Sequence, residues 1–213
     1  MQVEIWSDIV CPWCYIGKRR FEKALASFAH ADEVEVTWRS FQLDPGFPAG
    51  ESIPVYDALA AKMGAPREQV RAMTGQVTQV AAQEGLEYDF ASGVMVNTFD
   101  AHRLVHLAQS KGLGDAAHEA FMDAQLVQAE NLADPETLVK VAVGIGLDEA
   151  EAREVLAGDA FTAEVNADID TARRLGATGV PFFVMDRAFG VSGAQPVEVF
   201  TSALEKAYEA ARS

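Results

Sequence analysis

Cys11-Pro12-Trp13-Cys14 contains the only two cysteines of this 213-residue chain. The residues before it, Val3 to Trp6, read as a short strand. Those after it carry Phe21, Leu25 and Phe28 at helical spacing. Cys11 therefore falls where a helix begins, and Pro12 suits the first helical turn. Backbone N–H groups at a helix start have no acceptor within the helix, and the dipole there favours negative charge. The thiolate is the reactive form of cysteine, so this position promotes reactivity. Cys14, one turn on, can reach back and close a disulfide.

Three readings of the pair compete. Two inert buried thiols are one, although a Pro-Trp insert at a helix start is unlike ordinary core. A structural zinc site is the second; it needs four ligands, and His102 with His106 would have to complete it. A redox dithiol is the third, since C-x-x-C beside a βαβ pattern is a redox signature. His102 and His106, one turn apart, form no telling metal set by themselves, and no metal is expected. His102 is expected either to face a cleft or to be a satisfied polar residue.

Composition is that of a globular protein, with 49% hydrophobic residues. The formal net charge of −15 argues against nucleic acid as a partner, because phosphate binding needs clustered Lys and Arg. The one basic cluster, Lys18-Arg19-Arg20, reads as a solvated helix face or as a local positive field beside Cys11. The chain enters Val3-Glu4-Ile5 without a basic start or apolar h-region, and no apolar run is long enough for a membrane span. The expectation is a cytoplasmic protein with no membrane partner, in which a cycling disulfide is more plausible than a structural one.

The first forty residues read strand, helix, strand, with Val34, Val36 and Trp38 alternating with polar residues. Pro45, Gly46, Pro48 and Gly50 make a loop. From about Ser52 to Gly176 nearly everything reads as helix, with Thr98 and Asp134 as helix starts and Met63, Met73 and Met122 as core. The last of these helices carries Phe161, Val165 and Ile169. Phe182-Phe183-Val184-Met185 is then a dense apolar strand, Asp186-Arg187 a turn, and 188–192 its hairpin partner. Pro196 opens a closing helix. The order is β-α-β, a long helical insertion, then β-β-α, with expected segments 1–50, 51–160 and 161–213.

That order, with C-x-x-C after the first strand and Val180-Pro181 before the third, resembles the thioredoxin fold, an α/β class. More closely it resembles the DsbA family, in which a helical domain interrupts the thioredoxin domain, and within it the FrnE-like branch. The residues that carry the resemblance are Ser7 to Cys14, Phe41-Gln42-Leu43-Asp44-Pro45, Asn97-Thr98-Phe99-Asp100-Ala101-His102-Arg103-Leu104, and Gly179-Val180-Pro181-Phe182-Phe183. Some FrnE-like proteins carry an additional cysteine pair near the C-terminus; this chain has none, which excludes a relay through a second pair. Related glutathione-dependent isomerases and kappa-class transferases typically have serine where Cys11 stands.

The resemblance implies a thiol–disulfide oxidoreductase or isomerase acting on protein thiols and disulfides or on small thiols. Cys11 would attack, Cys14 would resolve, and a cis Pro181 would lie beside the dithiol. Pro12, Trp13, Val180 and His102 are the candidate substrate contacts, with the Val180 backbone free to pair with an extended segment. No cofactor is implied beyond the Cys11–Cys14 disulfide, with glutathione as a conceivable co-substrate. Two other function classes stand beside this one: a glutathione-dependent small-molecule isomerase or transferase, and a redox-independent chaperone-like binding module.

Overall fold

The computed structural model describes residues 1–212. In chain order the elements are β1 (Gln2–Ser7), α1 (Pro12–Ser27), β2 (Glu35–Ser40), β3 (Ser52–Pro54), α2 (Val55–Met63), α3 (Arg67–Gln83), β4 (Val94–Val96), α4 (Phe99–Ser110), α5 (Gly114–Leu126), α6 (Pro135–Gly144), α7 (Glu149–Ala157), α8 (Thr162–Arg174), β5 (Phe182–Met185), β6 (Phe189–Ser192) and α9 (Val197–Ala211). The chain forms two compact units. One is Met1–Leu43 together with the stretch from Asn166 onward; the other is Asp44–Val165. The divisions thus fall at 43/44 and 165/166, the second inside α8, where the sequence reading placed them at 50/51 and 160/161.

The first unit is built on a sheet of order β2-β1-β5-β6. β1 runs parallel to β2 and antiparallel to β5, with Ile5 opposite both Trp38 and Phe183. Successive strand residues face opposite sides. Val3, Ile5, Phe183 and Met185 therefore pack with Phe21 and Ala24 of α1 and with Phe200 and Leu204 of α9. Trp6 and Val184 face the other way and pack with Ala172 of α8. Phe21, Phe183 and Phe200 meet at centroid distances of 4.6 to 5.8 Å. Each such buried side chain contributes about 1.5–3 kcal/mol. The β5–β6 hairpin turns through residues 186–188, with Met185 opposite Phe189 and with Asp186 and Arg187 both at positive φ, 48° and 54°. This is the β-α-β … β-β-α arrangement expected of a thioredoxin fold.

Glu4 of β1 sits on the α8 side of this sheet, buried. Burial alone would raise its pKa. Arg187, at 3.0 Å, and Arg39, at 2.8 and 3.0 Å, outweigh that and hold the carboxyl below its ordinary range. Asp168 of α8 extends the network, accepting from the Ser40 N–H at 3.0 Å and from Arg39 at 3.3 Å. Its backbone carbonyl takes the Trp6 indole N–H at 2.8 Å.

The second unit corrects four details of the sequence reading. It is not wholly helical, because β3 and β4 pair antiparallel, Ser52 opposite Val96. Three-residue strands are too short to show an alternating pattern. α8 begins at Thr162, since Phe161 lies outside the helix with φ of 64°. Met122 is core, but Met63 and Met73 are 46% and 42% exposed, because α2 and α3 bury only a narrow stripe. The start of α4 is capped by Asn97 rather than by Thr98: its Oδ1 accepts the Phe99 N–H at 2.9 Å, and its Nδ2 donates to the Phe47 carbonyl at 2.6 Å. Arg103, buried, donates to the carbonyls of Val155, Gly158 and Ala160 and so satisfies oxygens left over at the end of α7. Among the described residues no helix is long and apolar enough to cross a membrane.

Candidate active site

Cys11 is the N-cap of α1. Its backbone is extended, with φ −89° and ψ 111°, and its side chain makes no capping bond of its own. The turn is held by backbone bonds. The Cys11 N–H donates to the Asp8 carbonyl, and the Cys14 N–H to the Cys11 carbonyl, each at 3.0 Å. The Cys11 thiol donates to the carbonyl of Val180 at 3.7 Å. The next peptide, Val180–Pro181, is cis. Pro181 packs on α1 at Gly17: a Cβ placed there would lie 2.8 Å from Pro181 Cγ and 3.5 Å from the Phe183 ring. Cys11, Cys14, Val180 and Pro181 are thereby gathered on the first unit, at the start of α1 and the approach to β5.

Both thiols are free, and both are buried, with 4% exposure for Cys11 and 1% for Cys14. Access to the two sulfurs therefore differs little, and their chemistry differs more. Burial pushes the Cys14 thiol well above the usual cysteine range, and its hydrogen bond to Cys11 pushes it further. The Ser7 hydroxyl and the Asp8 backbone pull the other way. Cys14 thus stays protonated and can donate to the Cys11 sulfur. Trp13, between them, is 40% exposed. Pro12 is half-buried.

Ser7 and Asp8 link this turn to the segment that follows β2. Asp8 Oδ2 accepts the Leu43 N–H at 2.8 Å, and the Ser7 carbonyl accepts the Phe41 N–H at 3.0 Å. Phe41-Gln42-Leu43, which in the sequence marks only the end of a pattern, is pinned to the cysteine turn. Of the Lys18-Arg19-Arg20 cluster, read as a solvated helix face or as a local positive field beside Cys11, Lys18 is 2% exposed, paired with Glu22, its ammonium 5.5 Å from the centre of the Trp38 ring. Arg19 also pairs with Glu22, and Arg20 donates to the Ala194 carbonyl at 2.7 Å. His102 is buried in α4 of the second unit. Among the described residues no group of three or more His, Cys, Asp or Glu is placed to hold a metal.

The DSBA-like thioredoxin domain matches residues 2–205. The chain belongs to that family. Among solved structures, this DSBA-like chain is similar to a probable DsbA oxidoreductase from Streptomyces coelicolor, at 53% identity and a TM-score of 0.95, over 98% of this chain and 90% of that one. It is 27% identical over 206 residues to YwbO, an uncharacterised protein of Bacillus subtilis, covering 96% of each. It shares its fold with the cytosolic disulfide reductase DsbM of Pseudomonas aeruginosa, at 19% identity and a TM-score of 0.64, over 98% and 99% of the two chains. Proteins of this DsbA-like kind are oxidoreductases acting on thiols or disulfides.

Proposed function

We propose that this DSBA-like chain is a dithiol–disulfide oxidoreductase or isomerase of the FrnE-like branch, exchanging disulfides with protein or small-thiol substrates through Cys11 and Cys14. The observation that carries the reading is the setting of the Cys11 sulfur. It lies at a helix N-cap against the Val180 carbonyl, with the protonated thiol of Cys14 hydrogen-bonded to it from one turn on. The Cys11 thiolate attacks a substrate disulfide; a Cys11–substrate bond forms and the other substrate sulfur leaves as thiolate. Cys14 then attacks Cys11, closing the internal disulfide and releasing the bound substrate thiol. Exposed Trp13, with Pro12 beside it, and the backbone of Val180 are the proposed substrate contacts. The redox cofactor is the cysteine pair itself, with glutathione as proposed co-substrate and the cytoplasm as proposed compartment. The charge of −15 argues against nucleic acid as a partner.

The test is a trapping experiment. Cys14→Ser should accumulate mixed disulfides with substrate proteins, because it keeps the attacker and lacks the resolver. Cys11→Ser should accumulate few. A reversed pattern overturns the assignment of roles, and no adducts with either variant overturns the exchange. The potential of the Cys11–Cys14 couple then sets the direction: a value well above the cytosolic glutathione poise means a pair kept reduced, working as reductase or isomerase.

A further inference from the structure

Of the basic cluster on α1, Lys18 and Arg19 both pair with Glu22, while Arg20 reaches the loop between β6 and α9. Its guanidinium, half-buried, donates to the Ala194 carbonyl at 2.7 Å. That loop is tied at several points. Gly193 has φ of 81°, a conformation that favours glycine. Its carbonyl takes the Gln195 N–H at 2.9 Å, and the Gln195 side chain donates to the Ser192 carbonyl at 2.8 Å. The Gly193 N–H in turn donates to the Pro181 carbonyl at 2.8 Å. Pro181 follows Val180, whose carbonyl meets the Cys11 thiol at 3.7 Å. These links close a ring. α1 carries Cys11 at its start and Arg20 further along, and the Val180–Pro181 segment is held between the two. The packing of Pro181 on Gly17 of the same helix sets how near that segment can come.

We infer that Arg20 is a positioning residue for the exchange at Cys11: through Ala194 and Gly193 it holds the Val180–Pro181 segment where the Val180 backbone can pair with an extended substrate. The inference rests on the exchange reading above. In the step it serves, the Cys11 thiolate attacks a substrate sulfur. The Cys11–substrate bond forms, the substrate disulfide breaks, and the electron pair leaves on the departing sulfur. Arg20 touches none of these atoms. It keeps the pairing backbone ordered before the substrate arrives, so that binding does not carry the cost of ordering it. The effect therefore belongs to the binding of an extended chain and not to the chemistry at sulfur. A small disulfide that makes no backbone pairs should not sense it.

A short extended peptide whose one cysteine carries a 2-nitro-5-thiobenzoate disulfide reports this step, because attack by Cys11 on the peptide sulfur releases the coloured thiolate. The rate against peptide concentration gives a half-saturation concentration and a limiting rate. In Arg20→Met the half-saturation concentration should rise about fivefold, the scale of one net hydrogen bond, with the limiting rate unchanged. Attack on 5,5′-dithiobis(2-nitrobenzoate) should keep the parent rate and the parent pH–rate midpoint. Arg20→Lys, which keeps a charged donor, should restore the parent half-saturation. Gly193→Ala, strained at its positive φ, should raise half-saturation by itself. The double variant should be no worse than the worse single one, since both break the same chain of contacts. An unchanged half-saturation in Arg20→Met, a fall in limiting rate in its place, or single effects that multiply in the double variant overturns the role of Arg20. A pH–rate midpoint moved upward with both disulfides overturns it in favour of action through charge. A parent that attacks the aromatic reagent but shows no saturation with the peptide overturns it as well. A parent that attacks neither disulfide overturns the exchange reading itself.

Discussion

Cys11 and Cys14 differ less in exposure than in what surrounds their sulfurs, so their difference in reactivity must come from ionisation. Burial and the neighbouring Cys11 both hold the Cys14 thiol protonated, and a thiol is a poor nucleophile. Iodoacetamide near neutral pH should therefore label Cys11 at least tenfold faster than Cys14, read by mass spectrometry of the reduced protein; equal labelling would remove the basis for naming Cys11 the attacker. Gly17 is the second informative residue. Alanine there gains about 1 kcal/mol of helix propensity, but its methyl would sit 2.8 Å from Pro181 Cγ. Overpacking of this kind costs about 1–3 kcal/mol, and Pro181 can relieve it only by moving, together with the Val180 carbonyl that meets Cys11. Gly17→Ala should thus lose up to about 2 kcal/mol in denaturant unfolding and slow the first disulfide exchange. A variant as stable and as fast as the parent would show that this contact is slack.

At the scale of elements, β1, β2, α8 and the β5–β6 turn are tied by one charged network around Glu4. Its side chain is 6% exposed, while Arg39 and Arg187 are 30% and 65% exposed. Screening therefore weakens the Arg187 arm more than the Arg39 arm. Because the folded-state pKa of Glu4 is depressed, its contribution is present above the unfolded value of about 4.3 and is lost as pH falls through the lower folded value. Glu4→Gln should be less stable than the parent by about 1–3 kcal/mol at pH 7, the scale of hydrogen bonds to charged groups. The gap should close on acidification below about pH 4.3. Chemical denaturation at several pH values measures both; a gap that does not change with pH would assign the loss to packing instead of charge.

For the whole molecule, the question is whether function resides in the thiol pair or in the surface around it. Replacing both cysteines by serine puts a hydroxyl where the buried Cys14 thiol sits, so a thermal midpoint lower by several degrees is expected, with the fold kept. Reduction of insulin by that variant should be abolished. Suppression of aggregation of an unfolded client, undiminished in the same variant, would instead make the chain a binding module with an incidental dithiol.

The cysteine turn, the order of strands and helices in the first unit and the dense apolar strand β5 were legible in the sequence, because each is written in residues near one another along the chain. A helix start after a strand, a run such as Phe182 to Met185 and the turn at Asp186-Arg187 need no distant partner to be recognised. What only the tertiary structure decided are matters of pairing. Lys18 is buried because Glu22 and Trp38 receive it. Asn97 displaces Thr98 as the cap, and Arg103 closes the end of α7. β3 and β4 exist as strands because they meet each other, and Met63 and Met73 stay exposed because nothing described covers them. Local preference is additive along the chain, whereas the satisfaction of a buried polar or charged group depends on which distant residue arrives beside it.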